Sequence, residues 1–119
     1  MEKIKKFSLT KMKRLKSKKD FQNVYTNGHS VVDALSIIYV FAAPGAELKI
    51  GLAVGKKLGN AVTRNHIKRM MREVFRKRQY ELKDNFNIVW VARKKLVVAD
   101  LKTYERVFLR LVKRAGLLR

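Results

Sequence analysis

Nine lysines and arginines face a single acid, Glu73, between Lys56 and Arg78 (KKLGNAVTRNHIKRMMREVFRKR). Their spacing is helical. At about 100° per residue from Ala61, Asn65, Lys68, Arg69, Arg72 and Arg76 fall within one arc. Ile67, Met70, Met71 and Val74 fall on roughly the opposite arc, with Phe75 at its edge. One side of this helix is built to sit on a core, and the other is a stripe of long cations with an amide among them. Arginine grips phosphate through two parallel N–H groups and keeps its charge at any physiological pH, so such a stripe suits a phosphate backbone. A merely solvated face would mix acids and bases, and this one hardly does.

No other chemistry suggests itself. The two histidines, His29 and His66, are not at metal-ligand spacing, cysteine is absent, and the serines lack a nucleophile-elbow pattern. Gly51, Gly55 and Gly59 recur at intervals of four, but this is neither a dinucleotide fingerprint nor a phosphate-binding loop of the usual form. A flexible connection accounts for them, although Lys56 and Lys57 beside a helix N-terminus would seat a phosphate. No catalytic residue and no metal site are therefore assigned to the protein.

The remainder of the chain must carry this stripe. It has 119 residues, 47% of them apolar, and a formal charge of +20. That length suits one domain with one modest core, and self-repulsion of this size calls for a polyanionic partner. The absence of cysteine fits a reducing compartment, and no signal peptide or membrane span is evident, so a cytoplasmic protein is expected. Residues 1–16 read as a flexible basic arm and residues 17–119 as a single RNA-binding domain. Ser17 with Asp20 opens a short helix that Asn27-Gly28 closes, carrying Phe21, Val24 and Tyr25 on one face. Ser30 to Ala42 reads as one long strand with a bend at Asp33-Ala34, and Pro44-Gly45 as a turn. Leu48 to Val54 alternates as a second strand antiparallel to the first. Asn60 caps the basic helix. Phe86 to Ala92 (FNIVWVA) is nearly continuous apolar sequence, as in a strand buried on both faces, and Asp100 caps a last helix that Gly116 ends. The order is α-β-β-α-β-α: an α+β fold in which helices cover a small mixed β-sheet. Phe41, Phe75, Trp90 and Phe108 are assigned to its core. Phe21, Tyr25 and Tyr39 are open to a second use, because a basic arm leading into an aromatic helix is also how a single-stranded nucleic acid is held.

LKSKKDFQNVYTNGHS (Leu15 to Ser30) followed by KKLGNAVTRNHIKRMMREVFR (Lys56 to Arg76) resembles the protein subunit of bacterial ribonuclease P. The second block is similar to that family's signature helix, Arg-Asn-x-hydrophobic-Lys-Arg after a Gly-Asn-Ala start, with His66 a departure from the usual pattern. The resemblance runs from about Leu15 to Gly116. It implies a left-handed βαβ crossover around the basic helix, where the general rule favours the right-handed form. It implies a catalytic RNA that binds the magnesium ions, a protein with no active site of its own, and removal of the 5′ leader from precursor tRNA. Lys56, Lys57, Asn60, Arg64, Asn65, Lys68, Arg69 and Arg72 would contact the ribonuclease P RNA. Phe21, Tyr25 and Tyr39, with Lys94 nearby, would line a cleft for the leader. No obligate protein partner and no membrane are expected. Rival readings are a ribosomal protein, which would not need aromatic residues to meet a single strand, and a nucleoid-type DNA binder, which would need varied base-reading side chains rather than phosphate-type cations.

Overall fold

The computed structural model describes residues 14–119. Its elements are α1 (Lys18–Asn27), β1 (His29–Val32), β2 (Ser36–Ala42), β3 (Lys49–Ala53), α2 (Ala61–Arg78), β4 (Phe86–Ala92) and α3 (Leu101–Arg114). Short 3-10 turns occupy Lys56–Leu58, Gln79–Glu81 and Lys94–Val98. All three helices start where a short polar side chain can take an otherwise orphaned amide. Ser17 Oγ accepts from the Asp20 amide at 3.0 Å, Asn60 Oδ1 from Thr63 at 2.9 Å and Asp100 Oδ1 from Thr103 at 2.9 Å. At the end of α1 the Gly28 amide donates to the Val24 carbonyl at 2.9 Å. A Cβ there would lie 2.5 Å from the Val40 carbonyl oxygen, so close backbone approach requires the glycine.

The single long strand expected over Ser30 to Ala42 is instead a hairpin, β1 pairing antiparallel with β2 so that Ser30 faces Tyr39. What looked like a bend is a full reversal made by Asp33. Its side chain accepts from the Leu35 amide at 2.9 Å while its own amide donates to the Ser36 carbonyl at 2.9 Å. The fold therefore runs α-β-β-β-α-β-α. The sheet order is β1-β2-β4-β3. β3 does run opposite to β2, as read, but it does not pair with it: β4 lies between them, antiparallel to β2 and parallel to β3. The most apolar strand takes the position with neighbours on both sides and helices on both faces. The β3-α2-β4 segment is the βαβ unit of the mixed sheet.

Alternation sorts the side chains. Ile38, Val40, Ile50, Ile88 and Trp90 face α2 and α3, where they join Ile67, Met71, Val74, Phe75, Tyr104, Phe108 and Leu111 in the main core. Trp90 packs on Phe108 at 4.6 Å between centroids, and its buried indole N–H donates to Ser36 Oγ at 2.9 Å. Phe75 is fully buried rather than at the edge of the apolar arc. On the other face, α1 covers Val89 with Leu15 and Val24, and Phe21, Tyr39, Phe41 and Val91 pack around them. Phe41, expected in the core, is half-buried on this α1 side. The sheet thus separates a layer made by α2 and α3 from one made by α1.

Residues 1–13 of the arm lie outside the described residues. Its end is part of the domain. The Leu15 amide donates to the Ile50 carbonyl at 2.9 Å, Arg14 bridges Ile50 in parallel, and Leu15 is buried.

Candidate nucleic-acid interface

The charges of α2 divide into two groups along the helix. Near its C-terminus, Glu73 takes both Arg76 and Lys77, and Arg78 is shared by Glu81 at 2.9 Å and Glu105 at 3.0 Å. Glu73 is held below the usual carboxylate range chiefly by the Arg76 hydrogen bond, so it stays ionised and offsets that arginine. Arg76 therefore belongs to an ion pair rather than to the free stripe in which its position on the helix would put it. Upstream, Lys56, Lys57, Lys68, Arg69 and Arg72 make no ion pair among the described residues. Arg64 braces the preceding loop, its Nε donating to the Gly59 carbonyl at 3.1 Å, and Asn60 spends its carbonyl oxygen on the cap. Asn65 and His66 are exposed. The uncompensated cations thus occupy the first part of α2 and the turn before it.

Lys68 and Arg72 lie on the flank of α2 that meets β3. With Arg14, Leu15, Phe21, Ile50 and Leu52 they line a pocket of about 150 Å³. Beside it, Arg14, Arg69, Arg72, Glu73 and Arg76 surround a shallower recess of about 310 Å³. Phe21 joins the two surfaces. Its ring lies over Gly51 so closely that a Cβ there would be 2.4 Å from the ring, and only glycine leaves the ring that seat.

From Phe21 the aromatic group continues to Tyr25, at 6.5 Å between centroids, and from Tyr25 to Tyr39, at 4.9 Å and edge-on. Phe21 and Tyr39 are half-buried, and Tyr25 is 37% exposed. Burial, and secondarily Tyr39, pushes the Tyr25 phenol above its ordinary value, so it remains a neutral donor with an accessible ring edge. Lys94 comes from a different element, the turn that follows β4. Tyr39 stands opposite Val89, whereas Lys94 lies past the end of β4 in the Lys94–Val98 turn. Lys49 of β3 stands on the aromatic face, in register with Asn87, which in turn faces Phe41. The alternation of β3 could have identified it. Arg14 was also missed, although Leu15 beside it is an apolar anchor within a run of cations.

Among the described residues no group of three or more His, Asp or Glu side chains could hold a metal ion, and no helix is long and apolar enough to cross a membrane.

A family model described as Ribonuclease P matches residues 9–116. The chain is 36% identical over 110 residues to the Ribonuclease P protein component of Streptococcus agalactiae, covering 92% of this chain and 100% of that protein. Its structure superposes on that of the Staphylococcus aureus RNase P protein with a TM-score of 0.83 at 31% identity, over 92% of this chain and all of the other. For the RNase P protein of Thermotoga maritima the TM-score is 0.78 at 30% identity, over 85% of this chain and 96% of the other.

Proposed function

Because the chain belongs to the ribonuclease P protein family, we propose that it docks on the catalytic RNA of that ribonucleoprotein through the α2 stripe, holds the single-stranded 5′ leader of precursor tRNA on its aromatic face, and supplies no catalytic group. The observation that carries this is the contact between two unlike surfaces. Lys68 and Arg72, which form no ion pair among the described residues, share a pocket with Phe21, the first of the three aromatic residues. Cations on a rigid helix grip the phosphates of a folded RNA, and aromatic rings beside them accept unpaired bases without reading much sequence. One edge of the protein can thus bring a structured RNA and a single strand side by side. The α1 face supplies Phe21, Tyr25 and Tyr39, with Lys49 as a cation on its margin and Lys94 a contact only for a strand that runs past the end of β4.

Magnesium belongs to the RNA in this reading. No magnesium site is proposed on the protein itself. The protein's share of catalysis is positioning, which is carried by cations and rings and needs no acid–base pair. The working compartment is the cytoplasm, where precursor tRNA meets the RNA.

Affinities for precursor and mature tRNA, measured with the catalytic RNA alone and with RNA plus this chain, test the proposal. A base stacked on an aromatic ring is worth on the order of 1–3 kcal/mol. The protein should therefore tighten precursor tRNA by roughly 5- to 150-fold per stack, and leave mature tRNA nearly unchanged. Equal tightening of both would rule out leader binding.

A further inference from the structure

The other strong concentration of charge lies on α3. Over Leu101–Arg114 it carries Lys102, Arg106, Arg110, Lys113 and Arg114 against one acid, Glu105. Glu105 is turned towards α2, where it takes Arg78 at 3.0 Å. On the opposite flank Arg110 pairs with Asp33 at 2.7 Å and Arg114 donates to the Val32 carbonyl at 3.0 Å, clamping the β1–β2 turn. Burial alone would raise the pKa of Asp33, but the Leu35 amide and Arg110 hold it below the usual carboxylate range, so it offsets one of these arginines. Between the flanks, Lys102, Arg106 and Lys113 stand exposed and form no ion pair among the described residues, although Arg106 is near enough to Asp100 to favour that carboxylate's charged form. Their spacing of four and seven residues sets them on one line along the helix.

On the reading that α2 docks on the catalytic RNA, we propose that the outer face of α3 is a second docking surface for that same RNA. Two features of the architecture favour this occupant. The sheet order puts β3, beside the α2 stripe, and β1, beside α3, at opposite edges. The two cationic lines therefore bracket the molecule. Both helices also lie on the same side of the sheet, with the aromatic face on the other. A folded RNA seated on the helical layer can meet both lines, whereas a leader on the α1 side is separated from α3 by the sheet. A solvated face would carry acids among its cations, and the one acid on this helix is already paired elsewhere.

The test replaces Lys102, Arg106 and Lys113 together by Ala and measures binding of the full chain to a bacterial ribonuclease P RNA across a salt series, without tRNA. Arg110 and Arg114 are left intact because they hold the hairpin. Each phosphate contact contributes roughly 0.7–0.9 to the slope of log affinity against log salt, so the slope should fall by roughly 2.1–2.7 while the melting temperature holds. An unchanged slope would overturn the inference. So would a fall seen only when precursor tRNA is present, which would assign the surface to the substrate. A parallel Arg69→Ala/Arg72→Ala variant separates the two claims. If it lowers the slope and the α3 variant does not, only the α3 surface is refuted. If the parent does not bind the RNA at all, the reading of α2 fails with it.

Discussion

Replacement of Arg69 and Arg72 by alanine is expected to weaken binding to the catalytic RNA and to flatten its salt dependence by about 1.4–1.8 in log–log slope, roughly 0.7–0.9 for each phosphate contact removed. Neither arginine has a carboxylate partner among the described residues, so their loss strands no buried charge. The side chains also lie away from Ile67, Met71, Val74 and Phe75, which hold α2 on the sheet. Folding should therefore survive, and a thermal melt within a few degrees of the parent checks that. Arg76→Ala provides the contrast. Its charge is offset by Glu73, so it should flatten the slope by less than Arg69→Ala does. A double variant with the parent's salt slope would move the docking face elsewhere.

Phe21→Ala should weaken precursor tRNA binding to the reconstituted ribonucleoprotein by roughly 5- to 150-fold, the worth of one base–aromatic stack, and spare mature tRNA. The ring is half-buried beside Leu15 and over Gly51, so some stability will go with it. The ratio of the two tRNA affinities isolates the leader from that loss. A general loss of folding lowers both affinities together. Gly51→Ala supplies an independent variant: it keeps the ring and displaces it, because the new Cβ would lie 2.4 Å from the Phe21 Cζ. It should lower precursor affinity selectively as well. If both variants lose precursor and mature tRNA equally, the aromatic face is a packing surface and nothing more.

What could be read from the chain and what could not divide along a physical line. Features set by neighbours in sequence were legible. Ser17, Asn60 and Asp100 cap the three helices, and the arc of Lys68, Arg69 and Arg72 is where a 3.6-residue period puts it. Features set by distant pairing were not. The Asp33 reversal carries no Gly or Pro, so a side-chain-built turn passed for a bend and two strands for one. Nothing local says that β4, arriving after α2, inserts between β2 and β3. The site divides in the same way. Phe21, Tyr25 and Tyr39 come from a helix and a strand that their patterns identified, and they do meet. Lys94 was grouped with them by resemblance, but the register of β4 carries it beyond the strand end. Arg76, on the same arc as the free cations, differs from them for another reason. Glu73, one turn earlier, neutralises it, and a wheel drawn for cations alone ignores the acid beside them. Arg14 and Leu15 show the reverse error, a charge-rich stretch hiding one apolar side chain that ties it to β3.

The central claim is that this protein serves an active site made of RNA. It is tested most directly by mixing the purified chain, a bacterial ribonuclease P RNA and a precursor tRNA at a magnesium concentration too low for the RNA to act alone. Cleavage should occur at the 5′ end of the mature tRNA sequence and should require both the chain and the RNA. His29→Ala and His66→Ala should leave its single-turnover rate within about tenfold at saturating protein, well short of the loss expected when a general base is removed. Cleavage by the protein without the RNA, or none when all components are present, would contradict the account.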